Sequence, residues 1–400
     1  MNFINKTFMC CAIFSAAVFS QQSPHDVAGR IASFLQTETK NQIVHRKTKN
    51  IITELDPSAV DTNIQFASLF NDWNYPNGVM LYGMLACGKS EYVISNFDFL
   101  FHNKEYFKKM WNQFHWNRIG TEYELHRMES LDDCGAMGVA LIEAYRLAGN
   151  KQWRETIDTI ANYIHTKQTR LTDGTLCRTV PRKMTIWGDD LYMSVPFLAR
   201  MSTLTHDTVY YSDAIHQVLE FYRLLTDPQK KIMHHGYYTD SSQQTFACWG
   251  RVNGWMLVAA TELLSQLPAQ CAGRDRVVQC VQSHIRGLVA YQDSSTGLWH
   301  QVLDRPESYL ETSCSAMFVY SIASGIQNGW QDAAFAAFAK KGWQGVASRV
   351  TSEGHILGTC AGTSIGNDFQ FYYSRPSPEN DLHAFGPVLL AASAMMKLSQ

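Results

Sequence analysis

The stretch Trp187-Gly188-Asp189-Asp190-Leu191-Tyr192-Met193, followed by Ser194-Val195-Pro196-Phe197-Leu198-Ala199-Arg200-Met201, decides the reading of the fold. An aromatic and acidic cluster stands directly before a small, apolar run that is almost free of charge. A helix apolar on all sides belongs in the interior, and small residues let its neighbours approach closely. The same couplet recurs along the chain. Further clusters are Asp72-Trp73-Asn74-Tyr75, Leu131-Asp132-Asp133, Trp249-Gly250-Arg251-Val252-Asn253, Tyr309-Leu310-Glu311-Thr312 and Asn380-Asp381-Leu382-His383. The runs that follow the six clusters occupy residues 78–87, 135–147, 191–201, 254–264, 313–326 and 386–396. From Trp73 through Asp132, Asp189, Arg251, Glu311 and Asp381 the steps are about 59, 57, 62, 60 and 70 residues, the mark of an internal repeat.

Between these runs apolar residues return at helical spacing on one face only, as at Ile157, Ile160, Tyr163 and Ile164, or Val277, Val281, Ile285 and Leu288. Strand signals are few. Six inner helices alternating with six amphipathic outer ones make an all-α closed double ring, an (α/α)6 barrel. The turns Asp173-Gly174, Thr296-Gly297 and Glu353-Gly354 keep the same register. In such a ring every inner helix starts at one end, so six positive helix termini converge on one mouth and favour an anionic ligand. Ser313 and Asn380 read as helix caps. Trp73, Trp187, Trp249 and Trp255 are too bulky for caps and read as a ligand-binding wall.

The chain has 400 residues, 46% of them hydrophobic, 12% aromatic and 18% charged, which is enough to bury a large core. A formal charge of -2 with no basic run lacks the footprint of a nucleic-acid binder. One early charge at Lys6, an apolar run over residues 8–19 and a small residue at Ser20 read as a signal peptide over residues 1–20 of an exported protein, periplasmic or secreted. The run is too short for a membrane span. No Pro/Gly/Ser linker divides residues 25–400, which read as one catalytic domain. The cysteines form no C-x-x-C pair, and a Cys271–Cys280 disulfide is left open. A dinucleotide fingerprint, a Walker A sequence and a G-x-S-x-G elbow are all missing, so no cofactor is expected.

Doubled acids at Asp132/Asp133 and Asp189/Asp190 suit glycoside cleavage, in which one environment raises a carboxyl pKa so that the group can donate a proton. Neighbours at a helix start point different ways, so one of each pair is structural. Arg251 could hold a carboxylate bidentately, with a salt bridge to an Asp as the alternative. His234 and His235 have no third ligand at set spacing, so they read as rim hydrogen-bonding or relay groups and not as a metal site.

On these clusters, together with His235-Gly236-Tyr237 and Gly297-Leu298-Trp299-His300-Gln301-Val302, the chain resembles the unsaturated rhamnogalacturonyl hydrolases of glycoside hydrolase family 105. It resembles more distantly the unsaturated glucuronyl hydrolases of family 88. The resemblance covers essentially the whole mature chain and implies the same (α/α)6 barrel. It also implies a substrate, the unsaturated acidic oligosaccharide left by a polysaccharide lyase. A single acid of raised pKa would protonate C4 of the terminal C4=C5 double bond, water activated by the same group would add at C5, and the hemiketal would collapse to free the next sugar. Carried over by position, Asp189 is that acid and base, and Asp132 helps hold the ring and the water, with Asp190 and Asp133 as the alternatives. His235, Trp249 and Arg251 are implied contacts of the uronate, joined by Trp73, Asn74, Tyr75, Arg182 and Trp255. Two other functions fit the residues: an inverting glycosidase using Asp132 and Asp189 as separate acid and base, or a non-catalytic binder of acidic sugars.

Overall fold

Each repeat begins with a start signal that the local chemistry explains. Asn74 accepts the backbone N–H of Asn77 at 3.0 Å, and Pro76 sits in the first turn, where its missing N–H costs nothing. Glu311 caps another inner helix by accepting the N–H groups of Ser313 and Cys314, so the capping role expected of Ser313 falls to its acidic neighbour. The computed structural model describes residues 22–56, 58–115, 122–180 and 182–398, and the expected signal peptide lies outside the described residues. In chain order the helices are α1 (Pro24–Glu38), α2 (Tyr75–Ala86), α3 (Ser90–Phe114), α4 (Tyr123–Arg127), α5 (Gly135–Ala148), α6 (Lys151–Asn162) and α7 (Val195–Thr205). They continue with α8 (Val209–Leu225), α9 (Gly250–Gln266), α10 (Arg274–Val289), α11 (Thr312–Gln327), α12 (Ala336–Ala347), α13 (Phe369–Tyr373) and α14 (Phe385–Leu398).

Helices α2, α5, α7, α9, α11 and α14 pack in that order, and α14 returns to α2, which closes the inner ring. Helices α1, α3, α6, α8, α10 and α12 pack around it, completing the (α/α)6 barrel. The inner helices overlap the six expected runs, with bounds that shift most at α7 and α9. Helix α7 begins at Val195 because Gly188–Leu191 forms a tighter turn and the Ser194 hydroxyl donates back to the Asp190 carbonyl at 2.7 Å. Helix α9 begins earlier than expected, at Gly250, where a Cβ would stand 2.8 Å from the Cys314 sulfur. The turn glycines Gly174, Gly297 and Gly354 have φ of 91°, 78° and 88°, the left-handed region that glycine enters at least cost. All eight cysteines from Cys87 to Cys360 are free, so Cys271 and Cys280 do not form the disulfide left open by the sequence. No helix among the described residues is long and apolar enough to cross a membrane.

Contacts between consecutive inner-helix starts put all six at one end. The Trp73 indole donates to the Asp133 carbonyl at 2.7 Å, Gly135 faces the Met193 carbonyl, Gly188 faces Val252, and Gly250 faces Cys314. Tyr75 bonds His383, which brings the α2 and α14 starts together. Deeper in the ring a buried polar plug crosses from helix to helix. Glu262 accepts Arg200 Nη2 at 2.5 Å and the hydroxyls of Tyr82 and Tyr320, while Arg200 Nε donates to Glu143 at 2.7 Å. Arg200→Met leaves Glu262 buried without its cation, and urea unfolding is expected to show a loss of about 3–5 kcal/mol. Activity per folded molecule should be unchanged.

Candidate active site

The doubled acids separate by what surrounds each carboxylate. Asp133 is fully buried and accepts the N–H groups of Glu129 and Ser130 at 2.8 and 3.0 Å as well as the Arg127 guanidinium. Asp190 is fully buried and takes Arg178 Nε at 3.0 Å and Nη2 at 2.6 Å. The same guanidinium reaches Asp132 at 3.0 Å and lies 4.6 Å from the centre of the Trp187 ring. Asp132 and Asp189 keep side-chain exposures of 29% and 14%, so these two members of the pairs reach the cleft. Arg178 thereby fixes the α5 and α7 acids to one another, which no local pattern announced.

Asp189 meets His235 because strands Thr185–Trp187 and Gly236–Tyr238 pair antiparallel, with Trp187 opposite Gly236. His235 Nε2 lies 3.3 Å from Asp189 Oδ2, and its Nδ1 is 2.8 Å from the Tyr372 hydroxyl. Trp249 and Trp187 flank the imidazole at centroid distances of 4.5 and 5.7 Å. Burial pushes the Asp189 carboxyl up, but the contact with His235 and the Arg178 and Arg251 charges more than reverse this and hold it below the ordinary carboxylate range. The raised pKa expected of the acid is therefore not found at Asp189, whose carboxyl is shifted down. Among the described residues Asp189 Oδ2, His235 Nε2, Trp187 Nε1 and Trp249 Nε1 are buried without a hydrogen-bond partner. Asp189 Oδ2 and His235 Nε2 face each other at 3.3 Å, which leaves the two indole N–H groups on the rings flanking His235, each costing about 1–3 kcal/mol when unmet, to mark a place for a polar acceptor.

The other sequence candidates divide. Tyr75 stands half-buried beside Trp255 and within the fields of Asp132, Asp189 and Arg251. Arg251 is buried against the Trp249 ring, and its Nη1 and Nη2 donate to the carbonyls of Cys360 and Ala361, so they serve neither a carboxylate nor an Asp salt bridge. Its charge still acts on Asp189, while its hydrogen bonds pin the loop ahead of α13. Three of the four tryptophans correct the proposed wall: Trp73, Trp249 and Trp255 are 1%, 1% and 2% exposed, which makes them backing, and Trp73 spends its indole N–H on Asp133. Only Trp187 is half-buried. Asn74 is committed to capping α2, and Arg182 is exposed over the Tyr238 ring, with Asp240 at 3.8 Å, outside the cluster around Asp189.

Residues 43–399 match the sequence profile described as Glycosyl Hydrolase Family 88. The chain belongs to this family. It is 24% identical over 314 residues to the unsaturated rhamnogalacturonyl hydrolase YesR of Bacillus subtilis, covering 76% of this chain and 84% of the relative. It is 28% identical over 223 residues to an unsaturated 3S-rhamnoglycuronyl hydrolase of Alteromonas, covering 52% and 51% of the two chains. A crystal structure of a possible family 105 member from Salmonella enterica superposes with a TM-score of 0.74 at 21% identity, over 95% of this chain and 96% of the other, which shows a shared barrel.

This family 88 glycoside hydrolase contains site residues that sequence reasoning did not single out: Arg178, Tyr372, and the partners Asp381 and His383 of Tyr75. Asp381 and His383 lay within a quoted cluster, but nothing in that cluster pointed to Tyr75. Among the described residues no group of three or more His, Cys, Asp or Glu side chains is placed to hold a metal ion.

Proposed function

We propose that this family 88 hydrolase removes the 4,5-unsaturated uronic acid from the non-reducing end of lyase-generated oligosaccharides by hydrating the C4=C5 bond. The observation that carries the reading is the pairing of Asp189 with His235 beside the unmet indole N–H groups of Trp187 and Trp249, at a mouth made by six helix N-termini. A carboxyl placed there can deliver a proton to carbon, while the donors around it take the oxygens of an anionic ring. Asp189 is the proton donor, with His235 fixing its orientation. Asp132, held by Arg178, keeps the ring in register with that carboxyl. Uronate binding brings a second negative charge towards Asp189, and a like charge favours the protonated carboxyl. This is how a carboxyl that its neighbours hold low becomes a donor once substrate is bound.

The name of the Bacillus relative favours rhamnogalacturonan fragments, with rhamnose as the sugar released. An exported location belongs to the same proposal and rests on the pattern of residues 1–20. Unsaturated disaccharides made by lyases from several acidic polysaccharides test the reading. The enol-ether ultraviolet absorbance should disappear, fastest with the rhamnogalacturonan product. Sugar release with the double bond left intact would sink the hydration mechanism.

A further inference from the structure

His235 is held so firmly that only the place of its hydrogen is left to be set. Its backbone N–H donates to the Ala247 carbonyl at 2.9 Å and its carbonyl accepts the Gly188 N–H at 3.1 Å, which ties it to the chain on both sides. The Trp249 and Trp187 rings flank the imidazole, and His235 and Tyr372 are both fully buried, so neither meets bulk water. A neutral imidazole carries one hydrogen, and the hydrogen bond made by one nitrogen decides whether the other holds it.

The Tyr372 hydroxyl makes that bond. Its oxygen already accepts the backbone N–H of Gly366 at 3.1 Å. Its own hydrogen needs an acceptor, and His235 Nδ1 stands 2.8 Å away. A nitrogen that accepts carries no hydrogen, so the hydrogen sits on Nε2, which faces Asp189 Oδ2 at 3.3 Å. The reverse arrangement leaves the phenolic hydrogen unmet and turns a nitrogen lone pair on a carboxylate oxygen. The Asp189 contact cannot set the tautomer by itself. Its 3.3 Å is longer than a well-formed N–H···O bond of about 2.9 Å, and neither atom has an aligned partner.

We propose that Tyr372 is a positioning residue that locks His235 in the Nε2–H form and thereby decides which Asp189 oxygen carries the catalytic proton. The catalytic half of the inference rests on the hydration reading above, while the tautomer does not. With a hydrogen already between Nε2 and Oδ2, the proton taken up by Asp189 goes to Oδ1. Oδ2 is buried, so the exposure that this side chain keeps lies on its other atoms, and Oδ1 is the oxygen left for substrate. If Nδ1 held the hydrogen instead, a protonated Asp189 would donate from Oδ2 into the lone pair of Nε2, and the proton would point away from the substrate. Tyr372 itself is delivered by α13, behind the loop that Arg251 pins at the Cys360 and Ala361 carbonyls.

Tyr372→Phe keeps the ring in its apolar cluster with Trp249 and Val252 and removes only the hydroxyl. In wild-type protein carrying nitrogen-15 histidine, His235 should show a protonated Nε2 and an unprotonated, hydrogen-bonded Nδ1, the signals being assigned by their loss in His235→Gln. In Tyr372→Phe a mixture with the Nδ1–H form should appear. Its kcat on the unsaturated disaccharide should fall about 10–100-fold, the usual cost of losing a partner that orients a working side chain, with KM little changed. The kinetic split needs no spectral assignment, and the spectrum reads a change that looser packing alone would not produce. The proposal is overturned if wild-type His235 holds its hydrogen on Nδ1, if Tyr372→Phe gives the wild-type spectrum, if its kcat stays near wild type, or if the loss falls on KM alone. Wild-type enzyme that leaves the double bond intact overturns the hydration reading and the catalytic use of the lock, whereas the spectra decide the tautomer in either case.

Discussion

Asp189→Asn is expected to abolish nearly all turnover, with kcat down by about 10²–10⁴-fold and KM little changed. The amide has the shape of the carboxyl and can keep the 3.3 Å approach of its oxygen to His235, so the fold and the cleft should persist. What it lacks is a proton that can be given to carbon. Binding should survive, because the substitution leaves Trp187, Arg178 and the helix termini in place. Asp132→Asn should cost less in kcat and more in KM, since Asp132 acts on the ring through its bridge to Arg178. A circular-dichroism spectrum identical to wild type, with the absorbance assay flat, is the expected pairing. Near wild-type turnover by Asp189→Asn would remove this residue from the mechanism.

The same carboxyl sets the direction of two pH effects. Its pKa in the folded enzyme lies below the ordinary range, so above that pKa the carboxyl is ionised and must take up a proton before it can act. The expected result is a kcat/KM that falls as pH rises on the alkaline side. The sign for folding is the opposite. A depressed carboxyl stabilises the fold above the pKa it has when unfolded, about 4, and that contribution is lost as pH falls through the folded value. Urea midpoints of wild type should therefore decline on acidification more than those of Asp189→Asn. Equal slopes for the two proteins would show that Asp189 carries no such linkage.

The barrel was legible because a ring of buried helices leaves a mark in every repeat: six charge-poor runs, each after a polar cluster. Local chemistry not carried by periodicity moved the ends. The Ser194 back-bond and Pro196 delayed α7, and the extended Trp249 with the small Gly250 advanced α9. Site candidates were legible where they sit on the repeat, at Asp132 and Asp189, while His235 stands in the loop ahead of the strand Gly236–Tyr238, outside the repeat. Tyr75 and His383 are 308 residues apart, and His235 and Tyr372 are 137 apart, so only ring closure and a returning loop bring them together. Tryptophan misled for a physical reason. The bulk that suits a sugar face equally suits a gap between helix starts, and Trp73 fills one.

Arg178 carries the second large effect, and it acts on stability and activity together. Its side chain serves buried Asp190 through Nε and Nη2, reaches Asp132, and stacks on Trp187. Arg178→Met leaves Asp190 buried and without a countercharge, so unfolding free energy should fall by about 3–5 kcal/mol. Arg178→Lys should not restore it, because an ammonium cannot fork between two carboxylates or lie flat on an indole. Burial already pushes the Asp190 carboxyl up to about 6 against the pull of Arg178. With the guanidinium gone Asp190 can protonate, and the stability gap between Arg178→Met and wild type should narrow as pH falls. The double variant Arg178→Met/Asp190→Leu separates the two roles. An apolar pair of similar volume should recover most of the lost stability. Activity should stay low in the double variant, because Asp132 still lacks the group that holds it and Trp187 lacks its cover. Recovery of stability together with activity would show that Arg178 serves the fold alone, and that the bridge to Asp132 has no part in the reaction.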